Sequence, residues 1–115
     1  MGIGSLSTVG LQQPKNFAVV VLDNEHFGET GMQTTHTAGS VNLAEIARAS
    51  GIPSSWTIRE SSEISTAREK LLHAEGPLFC GIKVRAETLP LVLPPKEGEI
   101  LQKRFRNALM NENGD

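Results

Sequence analysis

The sequence predicts an α/β fold, a parallel sheet with helices on both faces in a three-layer α/β/α arrangement. Three observations carry that expectation. Asn16 to Leu22 is Val-rich and nearly uniform in apolarity, which suits a strand covered on both sides better than a half-exposed one. Leu78 to Val84 is a second such run, apolar on both faces at its start and alternating by Lys83. Between them a capped helix, a short strand and another helix follow in order, and strand–helix–strand–helix–strand at this spacing calls for right-handed crossovers and parallel pairing.

The elements are specified unequally. From Met1 to Gln12, Ile3, Leu6 and Val9 fall near one helical face, although Gly2, Gly4 and Gly10 make a poor isolated helix. Pro14-Lys15-Asn16 breaks the chain before the first strand. Met32 to Ser40 has no clean period and reads as an ordered loop or a short irregular helix. Asn42-Leu43-Ala44-Glu45 has capping-box spacing, with Asn42 as acceptor for the helix N-terminus and Glu45 able to reach back. Leu43, Ile46 and Ala47 then form an apolar face, and Gly51 supplies a left-handed stop, so a helix runs from about Leu43 to Ser50. Pro53 opens a short strand around Ser55 to Ile58. Ser62 is placed to cap a helix over Glu63 to His73, whose Ile64, Ala67, Leu71 and Leu72 share one side until Gly76-Pro77 ends it. Leu89 to Pro95 carries too much proline for an interior strand and reads as an extended surface segment. A helix over Glu99 to Met110 closes the chain, and Asn111 to Asp115 should fray.

At 115 residues the chain is expected to form a single domain, with no repeat and no dividing linker. With 38% hydrophobic and 21% charged residues it is a globular composition, and its longest apolar run is too short to span a bilayer. A net charge of -2 argues against a nucleic-acid surface, which needs clustered Lys and Arg. Lys15, Lys83 and Arg104 are scattered and read as solvated surface. Cys80, the lone cysteine, reads as a small core residue, and a chain without an internal disulfide points to a cytoplasmic setting.

The functional candidates sit where the first apolar run stops. Asp23 and Asn24 fall at the carboxyl end of the strand, the side on which parallel sheets bind ligands. A carboxylate and an amide oxygen are hard ligands of the kind Mg²⁺ takes, while Gly28 and Gly31 let the following backbone turn tightly. Asp-Asn also marks ordinary turns.

From Gly4-Ser5-Leu6-Ser7-Thr8-Val9-Gly10 through Pro14-Lys15-Asn16, Leu22-Asp23-Asn24-Glu25, Gly28-Glu29-Thr30-Gly31-Met32-Gln33, Thr35-His36-Thr37 and Asn42 to Ile52, the sequence resembles the cofactor-binding domain of thiamine diphosphate enzymes. Within them it is most similar to the sulfopyruvate and phosphonopyruvate decarboxylases. The resemblance implies thiamine diphosphate and Mg²⁺ as cofactors. It implies Asp23, Asn24, Glu25, Phe27 and Gly28 as cofactor-binding residues, with the Asn24 side chain and the His26 backbone carbonyl as metal ligands. Asp23 stands where much of the family has a first Asn. His36 is the residue the resemblance offers for contact with substrate or diphosphate.

The family takes its carboxylate ligand from a Gly-Asp-Gly loop preceding the Asn pair, and none occurs among the 22 residues before Asp23. The resemblance therefore implies an incomplete binding fold, the carboxyl-terminal portion of the domain, truncated or starting at an internal methionine, that binds cofactor weakly or not at all when alone. The glutamate that activates the cofactor comes in the family from another domain, and neither Glu25 nor Glu29 is assigned that role. A partner chain or domain carrying the pyrimidine-binding half is thus implied, together with self-association, because a sheet lacking a neighbouring strand exposes an edge. Two other readings stay open: a non-catalytic interaction module that keeps the fold, and an unrelated α/β domain binding a phosphate ester at the same strand end.

Overall fold

In the computed structural model, which describes residues 2–111, a 3₁₀ turn at Gly2–Gly4 leads into helix α1 (Ser5–Gln12) and strand β1 (Ala18–Asp23). Short strands β2 (His26–Phe27) and β3 (Gln33–Thr34) pair antiparallel. Helix α2 (Leu43–Ala49), strand β4 (Ser54–Ile58), helix α3 (Ile64–His73), strand β5 (Leu78–Lys83) and helix α4 (Gly98–Asn111) follow. The main sheet has the order β1-β5-β4 with both pairings parallel, so the last strand in sequence is central in space. That position explains why Leu78 to Gly81 are all buried.

Strand parity sorts the core into two layers. Phe79, with Val19 and Val21, meets Leu6 of α1 and Ala44 and Ala47 of α2. Cys80 and Ile82, with Trp56 and Ile58, meet Ala67 and Leu71 of α3. Helices therefore cover both faces, as the apolar runs predict.

β1 departs from expectation. It is not enclosed on both sides: Val20 is 47% and Leu22 70% exposed. The cause is topological. β1 is an edge strand, Val20 pairs with Cys80 and so points to the side of α3, and the apolar stripe of α3 is spent on β4 and β5.

Local chemistry accounts for the helix ends. Gly10 weakens α1 as an isolated helix, yet a Cβ there would overlap the Ser50 carbonyl, so the glycine lets α1 lie against the end of α2. The Asn42 side chain accepts the Ala44 and Glu45 N–H groups as predicted. Glu45, however, does not reach back. Its carboxylate pairs with Arg48 one turn on, which offers a full opposite charge. At the other end Ile52 N–H donates to Ala47 and Gly51 N–H to Arg48, with Gly51 at φ 97, a Schellman closure. Ser62 is not the cap of α3. It lies within a 3₁₀ turn at Ser61–Glu63, where Glu60 and Glu63 form the reciprocal box, because a carboxylate three residues on reaches the free N–H groups.

Beyond β5, residues 84–97 form no helix or strand, and Leu89, Leu91, Val92 and Leu93 are exposed, as expected of a proline-laden surface segment. The expected frayed tail falls, at 112–115, outside the described residues. No described helix is long and apolar enough to cross a membrane.

Candidate functional site

β1 and β5 run parallel with Val19 opposite Phe79, which puts Asp23 at the carboxyl end of β1 and Asn24 just beyond it. Two successive side chains there fold back on the backbone. Asp23 Oδ1 accepts the Glu25 N–H at 2.9 Å, and Asn24 Oδ1 accepts the His26 N–H at 3.0 Å. Such side-chain turns are what Asp and Asn favour. Glu25 between them sits at φ 61, a left-handed conformation that costs a non-glycine residue about 1–2 kcal/mol. Strain of this sort persists only where surrounding contacts impose it.

The His26 ring is committed to the same turn, with Nδ1 2.9 Å from the Asn24 carbonyl, to which it donates. The Thr35 N–H donates to the Glu25 carbonyl at 2.8 Å, making His26 and Thr34 a non-hydrogen-bonded pair whose carbonyls stand outside the ladder. That leaves the His26 carbonyl as an oxygen open to a ligand. The Asn24 amide nitrogen lies 3.7 Å from where a Cβ on Gly28 would stand, so the two residues are close neighbours at ordinary contact distance.

Lys83, read from sequence as solvated surface, is the correction here. Its Nζ donates to Asp23 Oδ2 at 2.8 Å, to Glu25 Oε1 at 2.5 Å and to the Thr37 carbonyl at 3.1 Å, and its side chain is only 18% exposed. Thr37 Oγ1 donates to Asp23 Oδ1 at 2.7 Å. Burial pushes the Asp23 carboxyl up, but the hydrogen bonds from Lys83, Thr37 and the Glu25 N–H outweigh it and hold the group below its ordinary value. Burial likewise works against the Lys83 ammonium, and its bonds to Asp23 and Glu25 win, raising its pKa. A cavity of about 160 Å³ adjoins this network, lined by Asp23, Thr37, Lys83, Thr57, Arg59 and Gly81 among others.

The predicted residues Asp23, Asn24, Glu25 and His26 thus meet in one turn. Phe27, 50% exposed, and Gly28 follow it on the surface. The His36 side chain is exposed on the 3₁₀ turn at His36–Ala38, beside Thr37 of the network, and its carbonyl is taken by the Gly39 and Val41 N–H groups. Sequence reasoning missed Lys83 and Thr37. The usable signal was a lysine at the carboxyl end of one apolar strand facing a carboxylate at the end of another. Cys80 is fully buried, and burial raises its thiol pKa, so it is core and no nucleophile.

Among the described residues no three His, Cys, Asp or Glu side chains are grouped to hold a metal. Asn24 Oδ1 keeps one lone pair, and the His26 carbonyl is a second hard oxygen. Both Asp23 oxygens are already engaged. Asn24 Oδ1 and the His26 carbonyl are oxygens of the kind Mg²⁺ takes, two of the six that an octahedral set needs.

The sequence profile described as "Thiamine pyrophosphate enzyme, C-terminal TPP binding domain" matches residues 1–82. The chain is 34% identical to "Sulfopyruvate decarboxylase subunit beta" of Methanocaldococcus jannaschii, over 95% of this chain and 57% of that protein. Identity to the protein of the same description from Methanococcus maripaludis is 33%, over 95% and 58%. To "Phosphonopyruvate decarboxylase" of Streptomyces viridochromogenes it is 32%, over 92% of this chain and 27% of that one. The chain thus spans little more than half the length of the beta subunits it matches.

Proposed function

This chain belongs to the thiamine pyrophosphate enzymes through their C-terminal TPP-binding domain, and from that premise we propose that it forms, as one domain, the cofactor-holding part of a decarboxylase for a small 2-oxo acid bearing a second anionic group. The sulfopyruvate and phosphonopyruvate decarboxylases among its relatives support that substrate class. The single observation that carries the reading is the Asp23–His26 turn at the carboxyl end of a parallel strand, with the Asn24 amide and the His26 carbonyl as neighbouring hard oxygens.

When bound, thiamine diphosphate stabilises the carbanion left by loss of CO₂. This chain's part is to hold and orient. Asn24 Oδ1 and the His26 carbonyl would hold Mg²⁺, and Gly28 would let the diphosphate approach the backbone. Lys83 offsets one of the two charges of Asp23 and Glu25, so that the pair confronts an anionic cofactor with less negative charge. His36, exposed beside Thr37, is the residue this reading gives to contact with substrate or diphosphate. Both Asp23 oxygens are already engaged and the Gly-Asp-Gly acid of the family does not occur before Asp23, so we infer weak binding of Mg²⁺ and cofactor by this chain alone. Loss of a direct ligand exceeds the roughly 10- to 100-fold effect of second-shell changes.

The catalytic centre is completed by a partner chain or domain that brings the pyrimidine side and its activating glutamate. The relatives named as beta subunits support a partner polypeptide. Self-association is supported by the open face of β1 and by exposed Phe105, Leu109 and Met110 on α4. We place the protein in the cytoplasm on the strength of its single, free and buried cysteine. Titration calorimetry with Mg²⁺ and thiamine diphosphate tests the binding: weak heats abolished by Asn24→Ala are expected. Micromolar affinity would show that another group replaces the missing acid, and indifference to Asn24→Ala would overturn the site.

A further inference from the structure

We propose that Lys83 is the positioning residue of the candidate site: from the neighbouring strand it locks the Asp23–His26 turn into the shape that presents the Asn24 and His26 oxygens, before any cation arrives. The inference rests on the cofactor-binding reading above and deepens it.

The geometry points to a lock because every proton of the ammonium is used. A lysine Nζ has three donors and no acceptor. Here the three go to Asp23 Oδ2, Glu25 Oε1 and the Thr37 carbonyl, at 2.8, 2.5 and 3.1 Å. These acceptors lie on the end of β1, on the left-handed residue inside the turn, and on the loop that covers it. They are 60, 58 and 46 residues from Lys83 in sequence, so the bonds are tertiary and cannot be made by the turn itself. Register supplies the reach: Asp23 and Lys83 are paired across β1 and β5, and the Val84 N–H continues the ladder by donating to the Asp23 carbonyl at 3.0 Å.

Each contact fixes something the site needs. Asp23, held from Lys83 and Thr37, directs its Oδ1 at the Glu25 N–H. Glu25, pulled toward Lys83, stays at φ 61. That kink sets the direction in which Asn24 and His26 leave the strand. A surface ion pair would have no such effect, since exposed pairs hold neither partner firmly. This one has a lysine 18% and an aspartate 11% exposed. Where an amide at the position of Asp23 would need no counter-ion, the aspartate needs one, and Lys83 is its built-in partner.

Amide hydrogen exchange on the full chain, without ligand, tests the lock. Lys83→Met should speed exchange at the Glu25, His26 and Thr35 amides by about 10- to 100-fold, the scale of losing charged hydrogen bonds. The Phe79 and Cys80 amides should stay as they were. Asp23→Asn combined with Lys83→Met, which removes the stranded Asp23 charge but does not restore the lost Glu25 and Thr37 bonds, should recover only part of the protection. Lys83→Gln carries the same comparison should the methionine variant not fold. Unchanged exchange at Glu25 and His26 would overturn the proposal, and so would a uniform acceleration that includes Phe79, which would mark Lys83 as a general stability residue. A second readout separates the two readings. Mn²⁺ with thiamine diphosphate should broaden the Asn24 side-chain amide signals less in Lys83→Met than in the parent. A lock seen by exchange, with no broadening at Asn24 in either protein, would keep the positioning role and discard the cofactor site.

Discussion

The two faces of the sheet are finished to different degrees. On the side of α1 and α2, Val19 and Val21 of β1 join Phe79 of β5 in one packed layer in which Phe79 is 1% exposed and Ala47 and Ile52 fully buried. On the side of α3, only β4 and β5 are covered, and Val20 and Leu22 of β1 face outward. The candidate site grows from the finished side: Asp23 and Lys83 share the parity of Val21 and Phe79, so the turn is anchored where the packing is densest. The lesson is that edge position and site rigidity are separate properties. A strand half open to solvent can still deliver a fixed polar turn when its other face and its last residue are held.

Substitutions on each face sharpen or break this contrast. Phe79→Ala, at the centre of the finished layer, should cost about 3–5 kcal/mol in urea denaturation. A loss below about 1 kcal/mol would mean the layer is not the main core. Gly10→Ala should cost about 1–3 kcal/mol, because α1 must lift from the Ser50 carbonyl. A neutral outcome would show that the close approach of α1 to α2 is dispensable.

Acid should be felt on the finished side as well. Asp23 has its folded pKa depressed, so the unfolded chain takes up that proton first, and the group's stability contribution, present above about pH 4, fades as pH falls further. Lys83 has its folded pKa raised, so its contribution is whole below about pH 10.4 and is lost as pH rises through the folded value. Asp23→Asn should therefore flatten the acid limb of a stability–pH curve while leaving an alkaline limb through Glu25. Leu22→Ser, on the open face, should change stability by no more than about 0.5 kcal/mol. A loss of several-fold that size would reveal that another surface covers β1 in solution.

Short-range chemistry explains what could be read from sequence. The Asn42 cap, the Gly51 closure and the Asp23-Asn24 turn are settled by residues within a few positions of one another, and each is where the pattern puts it. The apolar runs also give the strands and the parallel sheet. What they do not give is strand order. Val19 to Leu22 looks the same as a central strand or as an edge, and only the placement of β5 between β1 and β4 decides that Val20 and Leu22 are left open. Lys83 escaped for the same reason: a lone lysine after an apolar run is ordinarily solvated, and its three acceptors become neighbours only once β1 and β5 are in register. Competition between local partners misled the rest, as when Glu45 took Arg48 in place of its own helix N-terminus.

The claim at the centre is that Asn24 and His26 form the metal-holding turn of a thiamine diphosphate site. Mn²⁺ titrated with thiamine diphosphate into isotope-labelled chain tests it most directly, because paramagnetic broadening is visible even for weak binding. The account predicts that the Asn24 side-chain amide and the backbone amides of His26 to Gly28 broaden first, and that Asn24→Ala removes the effect. Broadening that begins at exposed acidic residues such as Glu97 and Glu99, with the Asn24 signals still sharp, would contradict it.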